Sequence, residues 1–271
     1  MSFPRNQRTR SFGPVRWLVF FLILAVFAVA CSRPETVGPR ARLDGFPRVV
    51  LWAWERPEDL EFVGPEKYGV AFLAQTLTLS GERVIFTPRR QPLNVSPETK
   101  LIAVTRVEAR KKSGGEVALS DAQRDELVAL ILKTLELKNV SAVQIDFDVL
   151  VSEREFYRGL LATLRERLPD HVPLSITALS SFCLGDRWMQ GLPVDEIVPM
   201  VFRLGPDERQ IKEHLASGGD FREPLCRAAY GISLDEQFDL KFDYTRRIYV
   251  FNPRPWKETD LVQLDSVLKR K

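Results

Sequence analysis

Eight short apolar runs of β-type residues recur along the chain, and their number constrains the fold more than any other feature. They occupy residues 49–54, 70–77, 101–107, 140–148, 173–179, 197–202, 227–233 and 247–251. Near-continuous apolar runs mark strands covered on both faces, as parallel strands between helices are. Helices with legible starts separate several of them. Ser120 and Gln123 form a capping box ahead of Leu127, Leu130, Ile131 and Leu135, and Ser152 with Glu155 repeats the pattern ahead of Phe156, Leu160, Leu164 and Leu168. Pro206 and Gly218-Gly219 bracket a third helix, and a last one covers residues 258–268. This alternation predicts an α/β fold, a (β/α)8 TIM-type barrel.

The first half is irregular. Residues 57–67 have room only for a short helix, and residues 81–100 hold Val84-Ile85-Phe86 with Pro88, Pro92 and Pro97, which predicts a small β insertion in place of a helix. The rival is an open doubly wound sheet. No G-x-G-x-x-G stretch follows any strand, which weakens the nucleotide-binding form of that rival.

The chain begins with a different kind of segment. Arg5, Arg8, Arg10 and Arg16 precede an uncharged stretch from Trp17 to Ala30, short for a membrane span and suited to a secretory signal. It ends Ala28-Val29-Ala30-Cys31, which resembles the lipobox of bacterial lipoproteins and implies lipidation at Cys31. The alternative is an ordinary signal peptide or anchor helix with an incidental cysteine. The division expected is a signal over 1–31, a tether over 32–45 and a barrel over 46–271, with the protein lipid-anchored in the cell envelope on the periplasmic side of a membrane.

Removing residues 1–31 takes away four arginines and no acids, so the formal charge falls from +3 to −1. With no later Lys/Arg run longer than Arg110-Lys111-Lys112, nucleic acid is not an expected partner. Cys183 and Cys226 remain. The strand assignment favours opposite ends of the barrel for them, and their pairing stays open.

The fourth run carries the chemistry. In Val143-Gln144-Ile145-Asp146-Phe147-Asp148, alternation sends Val143, Ile145 and Phe147 to one face and Gln144, Asp146 and Asp148 to the other. In a barrel the acidic face is the lumen, and its carboxyl end is the mouth where barrel enzymes react. The same alternation puts Trp52, Trp54, Glu55, Gln75, Arg106, Glu108, Thr177, Arg203, Asp235, Glu236, Tyr249 and Asn252 around that mouth. Aromatic rings and carboxylates together suit a sugar, and glycoside cleavage uses a pair of carboxyl groups. Asp146 could equally be a structural acid paired with Arg106. His171 and His214 fall outside any triad or zinc pattern, so neither metal nor cofactor is expected.

Residues 141–148 resemble the D-x-x-D-x-D-x-E pattern of the family 18 chitinases, (β/α)8 barrels whose last acid is the proton donor. Asp146 matches, Asp148 stands at the donor, and Ser141 and Gln144 replace the first two acids. A longer resemblance runs through Leu51-Trp52-Ala53-Trp54-Glu55-Arg56-Pro57, Gly69-Val70-Ala71-Phe72-Leu73-Ala74, the acidic strand, Leu174-Ser175-Ile176-Thr177-Ala178-Leu179 and Gly185-Asp186-Arg187-Trp188. These phrases look like domain-of-unknown-function family 3142, a bacterial group similar to glycosidase barrels. The resemblance implies a carbohydrate ligand. Asp148 would be the general acid, Asp146 would tune it, and Glu108 or Glu55 would be the second carboxylate. The competing expectation is a non-catalytic barrel that binds glycans or an envelope partner.

Overall fold

The computed structural model describes Met1, residues 42–109, residues 116–236, Asp243 and residues 245–268. The chain divides into two compact units, Met1–Val37 and Gly38–Lys271, and apart from Met1 the described residues belong to the second. The signal, Cys31 and the Arg110-Lys111-Lys112 run lie outside the described residues.

The eight runs all form strands: β1 (Val49–Ala53), β3 (Tyr68–Ser80), β6 (Leu101–Ala109), β7 (Val140–Asp146), β8 (Leu174–Leu179), β9 (Glu196–Met200), β10 (Ala229–Ser233) and β11 (Arg247–Phe251). They pair in parallel in that order, and β11 returns to β1, closing the barrel and excluding an open sheet. The β9–β10 seam is thin, with Gly231 opposite Met200 as its register.

Alternation sorts the side chains into two apolar layers. Leu51, Val70, Ala103, Val143, Ile145, Ile176, Ile197, Ile232 and Val250 point outward into the large core under the helices. Val50, Trp52, Ala71, Leu73, Ile102, Val104, Val198 and Tyr249 fill the lumen.

The helices are α1 (Asp121–Leu132), α2 (Arg154–Arg167), α3 (Ser180–Gly185), α4 (Glu208–Ala216) and α5 (Glu258–Leu268). The capping box on α1 forms as the sequence predicts, with Ser120 and Gln123 bonding each other's backbone N–H. The α2 start differs. Its box is not Ser152 with Glu155; Glu153 accepts the Leu150 N–H at 2.8 Å across a 3-10 turn.

The irregular first half is β structure. Residues 57–67 hold β2 (Glu58–Leu60) rather than a helix, because buried Glu58 accepts both the Arg56 guanidinium at 2.7 Å and the Trp256 N–H at 3.0 Å and so pins the chain extended. The predicted insertion comprises β4 (Arg83–Pro88), antiparallel to β3, and β5 (Leu93–Val95), parallel to β2. Residues 42–45, read with the tether, are folded: Leu43 is buried and Arg42 pairs with Asp195 at 2.7 Å.

Cys183 and Cys226 form a disulfide. Strand positions alone put them at opposite ends, but Cys183 lies in α3 and its carbonyl accepts the Arg222 and Glu223 N–H groups, which draws the 3-10 turn Pro224–Arg227 alongside.

Candidate active site

The mouth is built on an aromatic floor. Phe202 lies tilted against Phe251 at 4.6 Å between ring centroids, Phe251 stacks on Trp52 at 4.4 Å, and Trp52 on Trp54 at 6.0 Å. The Arg106 guanidinium then lies 5.5 Å from the Trp54 ring centroid. A continuous ribbon thus crosses from the end of β9, by β11 and β1, to β6. Trp52 is buried, whereas Trp54, Phe202 and Phe251 are partly open. Phe202 and Phe251 are missing from the sequence-based set although Phe202 continues the alternation of Val198 and Met200.

Beside the ribbon stands an acidic corner. The register sets Arg106 opposite Asp146, and Arg106 Nε pairs with Glu108 at 3.2 Å rather than with Asp146. Asp146 is buried and accepts one side-chain hydrogen bond, from the Thr177 hydroxyl at 2.7 Å. Burial pushes its carboxyl above the ordinary aspartate range, Thr177 opposes that shift, and the neighbouring Asp148 charge adds to it. Asp148 lies two residues past the end of β7, is exposed, and has no hydrogen bond or ion pair with the described residues. Gln144, one step deeper on the same face, donates to Ser175 at 3.0 Å while its buried Oε1 is unpartnered.

A third group borders the corner. Arg154 pairs with Asp186 at 2.6 Å and covers Trp188 at 5.2 Å from the ring centroid, so the Asp186-Arg187-Trp188 stretch is held from α2. Tyr157 lies beneath it, fully enclosed, and burial raises its phenol well above the usual value.

Several residues expected at the mouth are turned from it or engaged with other protein groups. Gln75 sits on the outer face, bonded to Thr105 at 2.9 Å and to the Leu130 carbonyl of α1 at 3.2 Å. The cause is a register shift between Leu73 and Gln75, since one extra residue moves every later side chain to the other face. Tyr249 does face the lumen but points to its amino end, where its hydroxyl donates to Glu196 at 2.7 Å. Asn252 is buried and donates to Asp260 at 3.0 Å, a helix-start contact. Glu55 is exposed and accepts the Arg90 N–H at 3.0 Å. Arg203, at φ 49°, leaves the alternation; its exposed side chain pairs with Asp235 at 3.8 Å and its N–H bonds Glu236 at 2.9 Å. Trp52, Trp54, Arg106, Glu108, Gln144, Asp146, Asp148 and Thr177 are the predicted residues that the fold brings together. Among the described residues no group of three or more His, Cys, Asp or Glu is placed to hold a metal ion.

No protein-family model matches the chain, and no curated protein matches it. In fold it is similar to the crystal structure of the spore cortex-lytic enzyme SleL of Bacillus megaterium QM B1551, with a TM-score of 0.50 and 16% identity over 69% of this chain and 50% of that one. The chain therefore spans about half the length of that enzyme. Weaker likenesses are to SleL of Bacillus cereus, with a TM-score of 0.45 and 18% identity over 69% and 51% of the two chains, and to a family GH18 chitinase from Chromobacterium violaceum, with 0.49 and 12% over 83% and 82%. At such identities a likeness carries the fold alone.

Proposed function

We propose that the protein is a glycoside hydrolase-like barrel that acts on a glycan by carboxylate acid/base chemistry, a reading that the resemblance of its phrases to family 3142 and of its acidic strand to the chitinase pattern supports. One observation carries the reading: an exposed Asp148 with no partner among the described residues stands at the mouth beside a buried Asp146 whose carboxyl is raised above the ordinary aspartate range. Burial, and after it the neighbouring Asp148 charge, make Asp146 keep its proton to higher pH than an isolated aspartate would. Asp148 delivers a proton to the glycosidic oxygen as the bond to the anomeric carbon breaks, and a water adds to that carbon and gives up its own proton to the carboxylates. Asp146 sets how tightly the proton is held. Glu108, fixed by Arg106, is the second carboxylate. Trp54, Phe251 and Phe202 present ring surface to the apolar faces of the sugar.

Export and lipid anchoring through Cys31 belong to the same proposal. The Cys183–Cys226 disulfide supports it, since disulfides persist in oxidising compartments. Replacing the cysteine, Cys31→Ala, is expected to move the protein from the membrane pellet to the soluble fraction. A variant that stays in the pellet contradicts the anchor.

A second reading, a non-catalytic glycan-binding barrel, is favoured by Gln144, a neutral amide bonded to Ser175 where the chitinase pattern has an acid. Reducing-end release from envelope and storage glycans separates the two. The hydrolase reading expects release by the wild type and its loss in Asp148→Asn. Release that survives that substitution removes Asp148 from the mechanism, and glycan affinity without release favours the second reading.

A further inference from the structure

One wall of the mouth is much taller than the barrel needs. β1 pairs with β3 only as far as Phe72, yet β3 runs on to Ser80, which is about 26 Å of further strand at about 3.3 Å per residue. β6 follows it on one side, to Leu79 opposite Ala109. On the other side, vacated by β1, β4 pairs antiparallel from Gln75–Pro88 to Ser80–Arg83. Three strands therefore stand above the mouth as a sheet.

The register shows which residues share its two faces. Arg106 lies opposite Thr76, and Thr76 opposite Thr87; Glu108 lies opposite Thr78, and Thr78 opposite Ile85. Arg106 is over Trp54, so this face continues the floor and acidic corner. Ile85 and Thr87 are exposed on it and Thr76 is partly open. The other face carries Leu77 and Leu79, buried in the core with α1, and Gln123 of α1 donates to the Gly81 and Arg83 carbonyls at 3.0 and 3.3 Å. The wall is thus fixed at its back, while Ile85 and Thr87 are open at its front beside the buried Thr78.

We infer that this face is a docking wall for a polymeric glycan, so that the site takes long chains in preference to short oligosaccharides; the inference rests on the glycan reading above. The occupant follows from the chemistry. Hydroxyls (Thr76, Thr87), a charged pair (Arg106, Glu108) and one apolar side chain (Ile85) alternate along a rigid strip continuous with the reacting corner. A pyranose chain, with its own alternation of hydroxyl rims and apolar ring faces, complements that strip along its length. A short oligomer would occupy only the floor and corner.

The test uses the full chain without its signal, with insoluble chitin and purified peptidoglycan as polymers and the chitin dimer and trimer as short ligands. The wild type should bind at least one polymer about tenfold more tightly than the trimer, and the double variant Ile85→Glu, Thr87→Glu should lose about tenfold in polymer affinity while binding the trimer as before. Both positions are exposed, and an unchanged melting temperature confirms that the fold is intact. Equal losses on long and short ligands, no loss at all, or a wild type that prefers neither polymer each overturn the inference. Asp148→Asn should leave the length preference untouched, so a failure of the catalytic reading shows as missing hydrolysis and a failure of the wall as missing length dependence.

Discussion

The two ends of the barrel each bury a carboxylate and treat it in opposite ways. At the amino end Glu196 is fully enclosed, accepts the Tyr249 hydroxyl at 2.7 Å and pairs with Arg247 at 3.3 Å; burial still raises its carboxyl, against both partners. Its neighbour Asp195 is held by Arg42, Arg165 and the Leu174 N–H. A cleft of about 430 Å³ opens over these groups, lined by Arg48, Arg227, Arg246 and Arg247 among others. At the carboxyl end, among the described residues, Asp146 has one hydroxyl donor and no ion pair, and Asp148 beside it has no partner. Cavity size and buried charge therefore do not identify the reactive end. In the proposed reading incomplete pairing does, because a carboxyl enclosed between an arginine and a tyrosine lies out of a substrate's reach.

If that contrast is right, substitutions at the two ends should differ in kind. The largest effect on stability is expected from Glu196→Ala, which leaves the buried Tyr249 and the partly buried Arg247 without the carboxylate they share and costs about 3–5 kcal/mol. Denaturant unfolding would measure it, and a loss below about 1 kcal/mol would break the comparison at its amino end. Next comes the disulfide that joins the segment after β8 to the turn before β10. Replacing Cys183 and Cys226 together by serine should cost about 2–4 kcal/mol, seen as a lower melting temperature than that of the oxidised wild type.

Thr177→Val should cost about 1 kcal/mol and push the Asp146 carboxyl further up, because the one bond favouring its ionised form is gone. An NMR titration of the carboxyl checks the direction; a downward shift would mean that another donor governs Asp146.

The smallest effect is a slope. The folded-state values of Asp146 and Glu196 lie above their unfolded ones, so the native state keeps protons that the unfolded chain has lost. Their contribution to stability is complete below the ordinary carboxylate range and declines as pH rises through that range toward the folded values. Asp146→Asn removes its share of the decline and leaves that of Glu196. Melting curves of this variant that keep the full wild-type slope would show that Asp146 is not held protonated.

Much of this was legible in the sequence. All eight runs became barrel strands, because burial between lumen and helices imposes an apolar pattern that survives local irregularity. The acidic corner was legible too, since alternation along β7 and β6 is uninterrupted in this stretch. Gln75 was not, because a one-residue register shift leaves no mark in the pattern it reverses. Tyr249 shows a second limit: alternation gives the face of a strand but not the height of a long side chain within the lumen. Arg203 shows a third, as a left-handed backbone ended the period just where Phe202 joined the aromatic floor. The disulfide depended on backbone hydrogen bonds to Cys183, which strand spacing does not encode.

The central claim is that the exposed acid at the mouth, and no acid at the closed end, carries the chemistry. Its most direct test is the rate of reducing-end release from a glycan that the wild type cleaves, measured for Asp148→Asn alongside its melting temperature. The account predicts a rate lower by about a hundredfold or more with the melting temperature unchanged. A variant that cleaves at the wild-type rate would contradict it.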